Sequence, residues 1–94
     1  MPHMLIRHKV KSFANWKSAF DEHASVRKAA GSKGGILFRS AEDPNEVVIL
    51  FQWSDLGAAR KFAQSENLRE VMKDAGVVGQ PDIFFVEELE RPTV

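Results

Sequence analysis

The chain reads as an α+β protein of the ferredoxin-like type, a βαββαβ sandwich in which one four-stranded antiparallel sheet carries its helices on one side. Three observations predict this. Runs with an apolar period of two alternate with longer runs at helical spacing, in the order strand, helix, strand, strand, helix, strand. Asp43-Pro44-Asn45 separates the two middle strands as a hairpin turn. Right-handed crossovers then bring both helices onto the same face.

Each element has a local reason. Met4–Val10 alternates Met4, Ile6, His8, Val10 against Leu5, Arg7, Lys9, which predicts the first strand. Ser12 offers an N-cap oxygen, and Trp16, Ala19, Phe20 and Ala24 recur at helical spacing up to Ala30, where Gly31 ends the helix. Gly31-Ser32-Lys33-Gly34-Gly35 reads as a flexible connector into a second strand, Ile36–Ser40, with Ile36 and Phe38 opposite Leu37 and Arg39. Val47–Trp53 is the third strand. Ser54 is placed to cap the second helix, whose inner stripe is Leu56, Ala59, Phe62 and Ala63, and Ser65 with Glu66 marks a second cap and a bend or restart before Leu68, Val71, Met72 and Ala75. Gly76 stops it. Ile83–Leu89 is the fourth strand, and the short tail Glu90–Val94, with Pro92, is expected to stay mobile unless it reaches a partner.

Every strand is apolar on both faces, yet two helices can cover only one face of the sheet. In Val47–Trp53 one face carries Val47, Ile49, Phe51 and Trp53, and the other Val48, Leu50 and Gln52. The alternation turns Met4, Ile6, His8, Val10, Ile36, Phe38, Ile83, Phe85 and Glu87 towards the helices with the first of these sets. Leu5, Leu37, Val48, Leu50, Phe84 and Val86 are left on the far side, with Arg7, Lys9, Arg39 and Glu88 among them. A second copy of the chain is the expected cover, a homodimer through the sheet face. Such an interface would be worth ~5–10 kcal/mol before association costs.

Composition narrows the function classes. A length of 94 residues matches one small domain, taken as 1–94. Lys plus Arg and Asp plus Glu number 13 each, so no net charge draws the chain to nucleic acid or to an anionic membrane. Without cysteine there is no disulfide, thiol nucleophile or thiolate metal site. The opening Met1-Pro2-His3-Met4 has neither the basic region nor the apolar run of a signal peptide, and no segment reaches membrane-spanning length, so a soluble cytoplasmic protein is expected. His3, His8 and His23 lack ligand spacing, which predicts no metal site. The glycine-rich stretch follows a helix and precedes a strand, the reverse of a phosphate loop. Glu46–Trp53 lacks the aromatic stacking motif of an RNA-recognition domain.

Phe13-Ala14-Asn15-Trp16-Lys17-Ser18-Ala19-Phe20, Asp43-Pro44-Asn45, Gln52-Trp53-Ser54, Gln64-Ser65-Glu66-Asn67-Leu68, Ala75-Gly76-Val77 and Pro81-Asp82-Ile83 together resemble the antibiotic-biosynthesis-monooxygenase-like (ABM-like) domains of the dimeric α+β-barrel superfamily. The resemblance covers nearly the whole chain. It implies face-to-face sheet packing in a homodimer and a ligand cavity between each sheet and its own helices. The superfamily's haem-degrading monooxygenases use an Asn on the first strand, a Trp in the second helix and a His near its end. The Trp and His positions fall here on Phe62 and Met72, and Met4–Val10 holds no Asn, which argues against haem degradation. The family's cofactor-independent quinone-forming oxygenases act on substrates that react with oxygen once deprotonated, helped by polar Asn, Trp and Arg groups. The polar set differs here.

Candidate chemistry centres on His23, three residues after Phe20 and seven after Trp16, hence on the inner stripe of the first helix. With an ordinary pKa near 6.5 it can take or give a proton near neutrality, and it is the candidate catalytic residue; the alternative is a hydrogen-bonded packing histidine. Trp16, Phe20, Phe38, Trp53, Phe62 and His8 are the candidate substrate-binding residues, their flat rings suited to a flat aromatic ligand, with core packing as the competing role. Glu87 is either a solvated edge carboxylate or a buried base. The resulting expectation is a homodimeric small-molecule enzyme, a monooxygenase or cyclase-type protein acting without metal or flavin on a hydrophobic aromatic or polyketide-like compound. A non-catalytic binding module for an apolar metabolite is the alternative.

Overall fold

A computed structural model describes residues 2–93; Met1, and Val94 of the tail, lie outside the described residues. The elements run β1 (Pro2–Val10), α1 (Phe13–Glu22), α2 (Ala24–Ala30), β2 (Ser32–Arg39), β3 (Glu46–Trp53), α3 (Leu56–Ala63), α4 (Glu66–Asp74) and β4 (Val77–Glu87). The strands form one antiparallel sheet in the order β2-β3-β1-β4. This is the ferredoxin-like arrangement. β1 and β4, far apart in sequence, become neighbours because each crossover skips a strand.

Each predicted helix is present as two segments. The first breaks at His23, whose backbone (φ −85°, ψ 0°) departs from helical ψ and interrupts the ladder for one residue. The second breaks at Gln64 and Ser65. Ser65 Oγ accepts from Leu68 N at 3.2 Å and donates to Phe62 O at 2.8 Å, closing one segment while capping the next. Ser12 caps α1 as expected, accepting from Asn15 N. The cap of α3 is Asp55 rather than Ser54: its carboxylate accepts from Ala58 N at 2.7 Å, whereas Ser54 N is spent on Gly31 O. A carboxylate one residue later serves the N-terminal amides and the helix dipole together.

The core lies between the sheet and the helices. Trp53, Met4, Ile6 and Val47 are fully enclosed, joined by Val10, Ile49 and Phe51 from the sheet and Trp16, Ala59, Phe62 and Leu68 from the helices. Burial of each large side chain contributes about 1.5–3 kcal/mol. The registers Met4↔Phe51, Ile6↔Ile49 and His8↔Val47 put one alternate set of β1 and β3 inward, as read from the sequence.

β2 departs from that reading. Ser32 pairs with Trp53 and Gly35 with Phe51, so β2 gains a residue relative to β3 and the phase of its alternation is reset. The residues expected in a flexible connector belong to the strand. Leu37 and Arg39 turn towards the helices, Arg39 reaching the Phe13 ring, while Ile36 and Phe38 turn outward, 53% and 49% exposed. A one-residue slip exchanges the two faces of a strand completely. The outer face therefore carries Ile36 and Phe38 alongside Phe84 and Val86, with Leu5, Val48 and Leu50 half-buried among them. Arg7 and Asp82 pair at 2.8 Å on the same face.

Gly35 holds this register because a Cβ there would lie 2.1 Å from Leu50 O and 2.9 Å from Phe51 Cα. Backbone cannot yield as a flexible side chain does. Gly35→Ala is expected to destabilise the fold by about 1–3 kcal/mol, read as a lower urea midpoint; an unchanged midpoint would show that the β2–β3 pairing shifts freely.

Candidate functional site

The inner stripe of the first helical run, Trp16, Phe20, His23 and Arg27, lies over the sheet at β1 and β3. Trp16 stacks on Phe20 (centroids 4.8 Å apart) and Phe20 on Phe51 (6.1 Å), so aromatic rings tie helix to sheet. Beneath them is a narrow cavity of about 40 Å³ walled by Ile6, His8, Trp16, Phe20, His23 and Phe51 on one side and Phe62, Leu68, Val71, Met72 and Ala75 on the other. Such a space holds a few waters but is far below the ~300 Å³ at which ordinary ligand pockets begin. Side chains occupy most of the room expected for a ligand.

A wider groove of about 640 Å³ adjoins it between α2 and β2, lined by Lys28, Ser32, Lys33, Gly34, Gly35 and Leu37. Phe20, Arg27, Ile49 and Phe51 border both spaces. Arg27 stands at the junction. Its guanidinium lies 3.8 Å above the Phe20 ring and 5.7 Å from that of Phe51, and Nη1 donates to Phe20 O at 2.8 Å. Burial lowers its pKa, opposed by Asp21, and as a guanidinium it stays charged.

His8 enters the cavity from β1. It is 5% exposed, faces the edge of Trp16 at 5.5 Å, and neither ring nitrogen has a hydrogen-bond partner among the described residues. Burial pushes its pKa down to about 4, so near neutrality it is an uncharged imidazole with one free donor and one free acceptor. His23 is also buried, but it is tied: its Nε2 lies 2.9 Å from Asn67 Oδ1, and its ring packs on Phe62 at 5.9 Å. Where Nε2 is the donor to that amide oxygen, Nδ1 is the nitrogen left with the lone pair. That is the arrangement of an oriented base.

Of the residues singled out from the sequence, His23, His8, Trp16, Phe20 and Phe62 come together around the cavity. Phe38 does not, because the reset phase of β2 places it on the outer face; Leu37 takes its side of the strand. Trp53 is in the core against Phe62 (5.1 Å) and does not border the cavity. Glu87 pairs with Pro2 at the exposed end of the sheet, a solvated position. Arg27 and Asn67 were not singled out. Arg27 could have been found, since it continues the Phe20 and His23 stripe at four-residue spacing; Asn67 is 44 residues from His23 and only the tertiary fold joins them. Among the described residues no cluster of His, Cys, Asp and Glu could hold a metal, and no helix is long and apolar enough to cross a membrane.

The profile of the antibiotic biosynthesis monooxygenase family matches residues 3–74. A search of curated proteins finds no match. Among solved structures, a protein from Bordetella bronchiseptica assigned as an antibiotic biosynthesis monooxygenase superposes with a TM-score of 0.79 at 18% identity, covering 95% of this chain and 97% of that one. A Nitrosomonas europaea protein of the same assignment gives 0.70 at 17%, with 96% and 100% covered. SnoaB, a cofactor-independent oxygenase from Streptomyces nogalater, gives 0.69 at 20%, with 99% and 95% covered. At these identities the likeness shows the fold.

The state of His8 has a measurable consequence. The unfolded chain protonates this imidazole near 6.5 and the folded chain only near 4. Its contribution is therefore fully present above the higher value, is lost as pH falls between the two, and is level below the lower one. The loss amounts to at most about 3 kcal/mol. Urea unfolding at about pH 7.5 and about pH 4.5 should show wild type losing more stability than His8→Leu by up to that amount; equal losses would mean that His8 charges freely in the folded protein.

Proposed function

Because the chain belongs to the antibiotic biosynthesis monooxygenase family, we propose that it is a small-molecule enzyme of the cofactor-independent oxygenase kind, acting on a hydrophobic aromatic or polyketide-like compound as a homodimer. The observation that carries this reading is the pair of imidazoles on one aromatic-walled cavity, His8 without a hydrogen-bond partner among the described residues and His23 held by Asn67. SnoaB, described as a cofactor-independent oxygenase, shares the fold and supports the class of chemistry.

On this reading His23 Nδ1 removes a proton from an activated ring CH₂, leaving a delocalised carbanion. The carbanion gives its electrons to dioxygen, a peroxide forms at that carbon, and loss of water leaves a carbonyl. The balance is CH₂ plus O₂ to C=O plus H₂O, with the substrate as reductant. Asn67 holds the ring of the base, a positioning role. His8, uncharged, can donate to or accept from a substrate oxygen without a buried charge. Phe62 and Met72 stand on the cavity wall where the haem-degrading relatives place their Trp and His, so no haem step is part of the proposal.

The small cavity favours a second reading, a binding module that holds an apolar metabolite without turning it over. Oxygen uptake with a tricyclic anthrone such as dithranol separates the two. Enzymatic oxidation above the spontaneous rate is expected, with His23→Ala losing about 10²–10⁴-fold in kcat and Asn67→Leu shifting the pH profile. Binding without uptake favours the module, and full turnover by His23→Ala rejects His23 as base.

The dimer rests on the outer sheet face, where Ile36 and Phe38 at one edge and Phe84 and Val86 at the other are exposed, with Leu5, Val48 and Leu50 between them. Wild type is expected to sediment at twice the mass of one chain and Phe84→Asp as a folded monomer. A wild-type monomer at micromolar concentration would remove the sheet-to-sheet assembly.

A further inference from the structure

The groove between α2 and β2 is basic. Arg27, Lys28 and Lys33 line it, no Asp or Glu among the described residues does, and its other walls include Phe20, Phe51, Ile36, Leu37 and the backbone at Gly34 and Gly35. In a chain of zero net charge, this is a local concentration of one sign. Arg27 is the member that touches the inner cavity. Half-buried, it has no carboxylate within ion-pairing distance among the described residues; only one nitrogen is engaged, by the Phe20 carbonyl. The rest of its planar donor fork is without a protein acceptor among the described residues. A half-buried guanidinium at this edge keeps part of its hydration and can exchange it for an anionic oxygen that enters the groove.

We propose that Arg27 is a specificity-determining residue that binds an anionic oxygen on an aromatic substrate, so that the natural ligand is an aromatic acid seated in the groove with its ring directed to the Phe20 and Phe51 walls. The inference rests on the small-molecule reading above and narrows it to a charge class. Lys28 and Lys33 raise the local concentration of such an anion without reading its shape, since an ammonium is a point charge and a guanidinium a planar fork.

The test compares 2-naphthoate with 2-naphthamide, which keeps the ring and lacks the charge, by calorimetric titration of the wild-type protein. Naphthoate should bind about tenfold tighter, the scale of a charge-assisted pair, with a preference that narrows as salt rises. Arg27→Met should abolish the preference for acid over amide, and Arg27→Lys should keep part of it. Equal binding of acid and amide to wild type overturns the proposal and leaves the enzyme reading standing. An undiminished preference in Arg27→Met overturns it in favour of the lysines. If neither compound binds, the proposal and the small-molecule reading fall together.

Discussion

Between Ser32 and Gly35, β2 takes three steps while β3 takes two from Trp53 to Phe51, and this extra residue decides which side chains face the helices. It puts Gly35 and Leu37 on the inner face beside α2, where a strand in the other phase would have placed Ile36 and Phe38. The β2 side of the groove is thus the backbone at Gly34 and Gly35 with Ile36 and Leu37 beyond it. The same reset sends Ile36 and Phe38 to the outer face, where they extend the apolar surface of Leu50, Phe84 and Val86. One bulge therefore opens a space on one side of the sheet and enlarges a greasy patch on the other. Both depend on a glycine, since Leu50 O leaves no room for a Cβ.

Unpartnered polar groups are unevenly distributed about this frame. His8 has two buried nitrogens without a partner and Trp53 has Nε1, each costing about 1–3 kcal/mol. The Trp53 indole is fully enclosed against Phe62, so its orphan donor is a consequence of packing. His8 differs because it borders a cavity large enough to admit water or part of a ligand. A leucine there would fill the space without the desolvation penalty. A neutral imidazole in that place carries function more readily than stability.

Much of the fold was legible in the residues because local signals agreed with the tertiary outcome. The strand and helix order, the inward set of β1 and β3, the caps at Ser12 and Ser65, and the stops at Gly31 and Gly76 each rest on a few adjacent residues. The phase of β2 was not legible. Ile36 and Phe38 are more apolar than Leu37 and Arg39, so hydrophobicity pointed them to the helices, and only pairing with β3 across a bulge reverses that. The cap falls on Asp55 and not Ser54 because the helix begins at Leu56, one residue later than the serine cap requires. For the site, the stripe Trp16, Phe20 and His23 followed from helical spacing. The Asn67 partner required α4 to reach the junction of α1 and α2, and the role of Arg27 required knowledge of what surrounds a charged side chain.

The placement of charge constrains what chemistry the proposed site can support. A buried His8 that titrates near 4 does not supply a positive charge inside the cavity near neutrality. A substrate deprotonated there would have to hold its negative charge against low-dielectric walls of Phe20, Phe51, Phe62 and Met72. Two features ease that cost. On the proposed reading, proton transfer to His23 would create the counter-charge at the moment the anion forms, and Arg27 places a permanent one at the mouth, bordering both spaces. A cation at the mouth keeps part of its hydration and avoids most of the penalty of a fully buried one. It also favours ligands that bring their own negative charge to the entrance and a neutral, oxidisable ring carbon to the interior. The proposed chemistry would then occur where water is scarce, with the fixed charges where water can still reach them.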